Sequence, residues 1–309
     1  MAASQADVKD RIASIQNIRK ITRAMEMVAA ARLRRAEQRI EALRPYASAI
    51  RRMTRQAAEA AGAEVSSMPV LQEHETVSKV AILLVTGDRG LAGAFNSQII
   101  RAGIRASAEH EGEGRDVVFS ASGRRGVSTL TFRGREIAGS YVGFTDRPAY
   151  ANAREIAEDL VTAFVDGEVD EVEIIYNGYI SPLTQEVRRE TLLPLKRATI
   201  LDEDDGDEDH VGATSDSDAQ DGQHALVEYE PDADEILGRL VPEYVEISVY
   251  RALLESTASE HGARMTAMRN ASENAGDIIQ DLTLEMNRAR QAEITQEIME
   301  VVAGAEALG

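Results

Sequence analysis

Residues 5–60 contain no glycine and a single proline, Pro45. Ala, Arg, Gln, Glu and Met dominate the stretch, and all of them favour helix. Apolar residues recur at three- and four-residue steps at Ile12, Ile15, Ile18, Ile21, Met25 and Val28. That spacing predicts one apolar stripe on a helix that reaches roughly 80 Å at 1.5 Å per residue. Pro45 is expected to bend or interrupt it, because proline removes a backbone donor.

The other end of the chain repeats the design. From about Glu235 to Ala307 the periodic set is Tyr244, Ile247, Leu254, Ala258, Met265, Met268, Ala275, Ile279, Leu282 and Met286. Gly238, Gly262 and Gly276 are weak points, and Pro242 predicts a kink. Neither stripe can be buried by its own helix, so head-to-tail pairing as an antiparallel coiled coil is the economical solution. The spacing is not a strict heptad, which predicts irregular winding.

Between the helices the pattern changes. Lys79–Thr86 is a β-branched apolar run and reads as a buried strand. GDRGLAGAFN follows as a turn, then a helix to about His110. Asp116–Ala121 reads as a second strand, Ala149–Asp166 as a helix and Glu171–Tyr176 as a third strand. Gln185–Leu195 alternates like an extended edge strand. Strands alternating with helices imply a small, mainly parallel sheet. The expected fold class is α/β: a long antiparallel coiled coil of N- and C-terminal helices with an inserted Rossmann-like α/β domain. The expected domains are 1–60, the first coiled-coil helix; 75–200, the α/β domain; 201–230, an acidic flexible loop; and 231–309, the second coiled-coil helix.

Charge and composition narrow the chemistry. The net charge is −19, yet residues 1–56 carry 13 basic against 5 acidic residues. From Leu201 to Asp234 there is no Lys or Arg. So polar a stretch cannot bury enough apolar surface to offset its ordering entropy. An EF-hand with its glycine at Gly206 would need acids at 201 and 212, where Leu201 and Gly212 stand. The chain has no Cys, which excludes disulfides, thiol catalysis and Cys-ligated zinc. None of the five histidines has metal-ligand spacing, and His261 reads as a packed or surface residue. Glycines at 87, 90 and 93 could cradle a phosphate at a helix N-terminus. Their spacing is not that of a dinucleotide fold, and no P-loop Lys-Ser/Thr follows, which favours a tight strand-to-helix turn. An acidic chain without interleaved aromatics argues against nucleic acid. No run approaches the length needed to span a bilayer, so any membrane link goes through a partner. No cofactor or metal is expected.

Three separated segments resemble one family. Ile18–Gln38 (IRKITRAMEMVAAARLRRAEQ), Asp88–Asn96 (DRGLAGAFN) and Ile294–Ala307 (ITQEIMEVVAGAEA) are similar, in order and position, to the gamma subunit of F-type rotary ATP synthase. The resemblance implies a central rotor stalk without a catalytic site of its own. Its coiled coil would turn inside a head of alpha and beta subunits, and its base would meet the epsilon subunit and the c-ring. Contact with the membrane would run only through that ring, on the cytoplasmic face of a bacterial cell membrane. Met25, Arg290, Gln291, Thr295 and Glu297 match head-contact positions. Tyr229 and Glu230 match the segment near the c-ring or epsilon side. The family often carries an aromatic residue two places before that tyrosine, where this chain has Val227.

Overall fold

A computed structural model describes residues 5–61, 69–71, 76–195 and 233–308. The acidic stretch 201–230, with Tyr229 and Glu230, lies outside the described residues. Helix α1 runs Gln5–Ala61, α2 Phe95–Gly112, α3 Arg124–Phe132, α4 Tyr150–Val165 and α5 Ala233–Leu308. The strands are β1 Lys79–Val85, β2 Asp116–Ser122, β3 Ile137–Tyr141, β4 Glu171–Ser181 and β5 Thr184–Leu193. Two compact units result. One combines Met1–Ala31 with Arg264–Gly309, and the other is Arg32–Ala263. Both terminal helices contribute to both units.

The larger unit is a five-stranded sheet in the order β3-β2-β1-β4-β5. β1, β2, β3 and β4 are parallel, and β5 returns antiparallel on β4. β1 sits at the centre, which explains its unbroken KVAILLV run: both of its faces are covered. On one face Val80, Ile82 and Leu84 meet Phe95 and Ile99 of α2 and Leu130 of α3. On the other, Ala81, Leu83 and Val85 join Ile156 and Leu160 of α4, Ile50 and Ala57 of α1, and Leu237–Leu253 of α5. The core is mostly aliphatic, but its largest fully buried side chains are the aromatic Tyr176, Phe119 and Phe164. Sequence periodicity had not identified α3 or β3.

The prolines do not interrupt their helices. α1 and α5 each run through their proline as one helix. Around Pro242 the buried Leu240, Val241 and Val245 anchor α5 on the sheet. That packing offsets the missing backbone bond, a cost of about 3 kcal/mol in an isolated helix. Gly262 is not a weak point either. A Cβ there would lie 3.0 Å from the Pro182 carbonyl oxygen, so its smallness lets α5 approach the β4–β5 turn.

A buried ion cluster ties β4, β5 and α2 together. Arg189 grips Glu173 with two bonds, Nε to Oε2 at 2.9 Å and Nη2 to Oε1 at 2.9 Å. His110 Nε2 lies 3.3 Å from Glu173 Oε1, and Arg189 also pairs with Glu109. Glu173 is only 5% exposed. Glu173→Ala removes the two bonds to Arg189, whose side chain is 37% exposed and keeps Glu109 as an acceptor. It is expected to cost about 1.5 kcal/mol, read as a lower midpoint of denaturant unfolding.

Candidate functional site

The smaller unit contains two paired helical segments, Gln5–Ala31 of α1 and Arg264–Leu308 of α5. Their direction follows from two contacts. Glu26 Oε1 pairs with Arg269 Nε at 2.9 Å. Arg19 lies over Gly276, its Cζ 3.6 Å from where a Cβ would stand. Seven residues back along α1 is therefore seven residues forward along α5, which makes the pair antiparallel. The seam of α5 is Met265, Met268, Ser272, Ala275, Ile279, Leu282, Met286 and Ala289, all buried or half-buried. Steps of three and four alternate without a break, which is a strict heptad. On α1 the matching positions are Val8, Ile15, Thr22 and Ala29, seven apart, with Ile12 beside them.

The irregular winding expected from the sequence is corrected here, and so is the single stripe on α1. Ile18, Ile21 and Val28 lie outside the seam and are exposed, Ile21 to 60%. Apolar periodicity alone merged two faces of one helix, because Thr22, Ala29, Ser272 and Ala275 fill core positions without announcing themselves. The methionines divide in the same way. Met268 is buried and Met25 is half-buried, whereas Met27 and Met299 are exposed.

The register also explains the end of α5. Carried on from the two contacts, it sets Gln5, the first described residue of α1, opposite Arg290. Every residue from Arg290 to Gly304 is exposed. This end nevertheless carries Ile294, Ile298 and Val301 at i, i+4 and i+7, with Val301 at 73% exposure. The result is an apolar stripe without a covering element among the described residues. Arg290, Gln291, Thr295 and Glu297 stand on this same exposed end. The Thr295 hydroxyl donates to the Gln291 carbonyl at 2.8 Å, a bond within the helix.

The glycine turn in the larger unit has a different use. After β1, the Asp88 carboxylate accepts the amides of Arg124 at 3.0 Å, Gly143 at 2.9 Å and Thr145 at 3.2 Å, and the Thr145 hydroxyl at 3.0 Å. Arg124 is the first residue of α3, so Asp88 occupies the position at that helix N-terminus where an anion would bind. Burial pushes its pKa up, but the three amides and the hydroxyl outweigh that and hold it below the ordinary value. Asn96 accepts the Gly87 amide at 2.8 Å and closes the turn. A Cβ on Gly87 would lie 2.8 Å from the Glu260 carboxylate. The segment DRGLAGAFN is thus a clasp joining β1, α2, α3 and the loop before α4, and its anion position is taken by its own carboxylate. Sequence reading missed Asp88, because its donors lie 36 to 57 residues away.

His261 is buried. Among the described residues no group of three or more His, Cys, Asp or Glu side chains is placed to hold a metal ion. No helix among them is long and apolar enough to cross a membrane.

Comparison with known proteins agrees with this architecture. The ATP synthase family model matches residues 4–308. The ATP synthase gamma chain of Rubrobacter xylanophilus is 43% identical over 306 residues, 99% of either chain. That of Streptomyces avermitilis is 41% identical over 312 residues, 100% of this chain and 97% of the relative. Among solved structures, the chain resembles one from the central stalk and c-ring of Tetrahymena thermophila mitochondrial ATP synthase. The TM-score is 0.57 at 27% identity, covering 82% of this chain and 99% of that one. It shares its fold with a rotor chain of Euglena gracilis mitochondrial ATP synthase, with a TM-score of 0.64 at 17% identity, covering 94% and 98%. Paired terminal helices in heptad register, a mainly parallel sheet between them in sequence, and likeness over the full length lead to one assignment: the chain belongs to the ATP synthase gamma-chain family.

Proposed function

We propose that the chain is the central-stalk shaft of a proton-translocating F-type ATP synthase, coupling c-ring rotation to sequential conformational change in the head. The nucleotide chemistry takes place on partner subunits, and this chain supplies no catalytic group. The observation that carries the reading is the bare apolar end of α5. A stripe of Ile294, Ile298 and Val301 on a lone helix is costly in water, at about 25 cal/mol per Å² of apolar surface left uncovered. A surrounding sleeve of head subunits would cover it.

In this reading Met25, Arg290, Gln291, Thr295 and Glu297 meet the alpha and beta subunits, while Tyr229 and Glu230 serve the c-ring or epsilon side. Exposed Arg and Glu suit a turning part. Each screened pair is worth on the order of 1 kcal/mol or less, so contacts form and break without a deep stop. The protein would be peripheral, held on the cytoplasmic face of a bacterial membrane through the c-ring.

Two measurements test this. The chain, recovered from a mild detergent extract, is expected to bring down an ATP-hydrolysing head. A partnerless monomer with its own turnover would sink the proposal. Ending the chain at Ala289 is expected to reduce ATP-driven proton pumping by the assembled complex several-fold, with the thermal unfolding of the α/β unit unchanged. Full pumping by the shortened chain would remove the tip from the mechanism.

A further inference from the structure

Helix α3 lies on the sheet face that carries α2, over β2 and the edge strand β3. That face is opposite the one covered by α1, α4 and α5 within the same unit. From Ser122 to Arg135 the chain carries four arginines, at 124, 125, 133 and 135, and no Asp or Glu. In a chain of net charge −19 this is a local reversal of sign. Gly126 and Leu130 turn inward and are buried. Arg124, Ser128, Phe132 and Arg133 are exposed.

Phe132 is 91% exposed, the highest value among the large apolar side chains described. Arg125 lies against Gly90, and Arg135 pairs with Glu111. Among the described residues the guanidinium groups of Arg124 and Arg133 have no acidic partner; only the Arg124 backbone amide meets Asp88. An exposed phenylalanine contributes nothing to the fold that holds it, whereas its burial is worth about 1.5–3 kcal/mol. Aromatic residues and arginine are the types enriched where protein interfaces concentrate their energy. The cations here are all arginine, whose planar fork matches a carboxylate with two bonds. A membrane-binding helix would instead turn an apolar face outward. The apolar residues of α3, apart from Phe132, face the sheet.

We propose that the outer face of α3 docks an acidic segment of a partner protein. Phe132 enters an apolar recess, and Arg124 and Arg133 pair with carboxylates on either side of it. This deepens the reading of the chain as one subunit of an assembly and rests on it.

The test places photoreactive p-benzoylphenylalanine at position 132 in the complex purified with its head subunits. After irradiation the attached peptide is identified by mass spectrometry. The expected result is one dominant adduct to a protein segment of net negative charge. With Arg124→Glu and Arg133→Glu introduced together, its yield is expected to fall about tenfold, as loss of two exposed pairs would give. Thermal unfolding of the double variant should match that of the parent chain. Adducts to lipid, adducts to a neutral or basic segment, a yield indifferent to the two arginines, or no adduct would each overturn the proposal. Failure of the shaft reading is distinguishable, because no head subunits would then copurify before irradiation.

Discussion

Gly123→Ala is expected to destabilise the α/β unit by about 4 kcal/mol, enough to remove much of the margin of an ordinary domain. Gly123 has φ +92°. A Cβ there would stand 2.1 Å from the Thr86 carbonyl oxygen. The backbone cannot give way cheaply. The Gly123 amide donates to the Tyr141 carbonyl at 2.7 Å, and the Thr86 hydroxyl donates to the Ser122 carbonyl at 2.7 Å. Strain and overlap therefore add. Gly114→Ala is the control, because Gly114 has a similar φ of +81° with nothing within 4 Å of its Cβ position. It should show the strain alone, about 1 kcal/mol. Denaturant unfolding of both variants checks this, and equal losses would show that the Thr86 contact is irrelevant.

Asp88→Ala is expected to cost about 3 kcal/mol, since three amides and a hydroxyl lose a charged acceptor. The sign of its pH dependence follows from the depressed pKa. The folded value lies below the ordinary 3.8, so the stabilisation is fully present above about pH 4. It is lost as the pH falls through the folded value. Asp88→Asn keeps an acceptor oxygen but cannot titrate, so it should lose less stability than alanine. It should also flatten the acid limb of the stability curve. Acid unfolding followed by circular dichroism separates the three chains. An unaltered acid limb in Asp88→Asn would show that other carboxylates dominate it.

These residues also mark how far the sequence could be read. β1 was legible because a central parallel strand is apolar on both faces, and α2, α4, β4 and β5 followed from period and turn residues. α3 and β3 were not. Arg124–Phe132 holds Gly126 and two threonines, and Ile137–Tyr141 holds Gly139 and Ser140, so neither has a clear period. Their places are fixed by neighbours distant in sequence, among them the Asp88 carboxylate. The paired helices were legible as helices, but the seam was not. Its small and polar members, Thr22, Ala29, Ser272 and Ala275, are identified by the opposite helix and by no property of their own. Of the candidate contact residues, Arg290, Gln291, Thr295 and Glu297 share one bare helix end and Met25 stands half-buried on the paired stretch. Tyr229 and Glu230 fall outside the described residues.

The unequal ends of the paired helices have an elastic consequence. Where α1 and α5 lie side by side, bending one means stretching or sliding against the other, and the two rods resist together. Beyond Arg290 one helix remains among the described residues, braced only by hydrogen bonds within itself. Compliance in that unit is therefore concentrated in its last five or so turns. A load applied there deflects the free end before it disturbs the seam. The paired stretch transmits force, and the single stretch behaves as a spring fixed at one end.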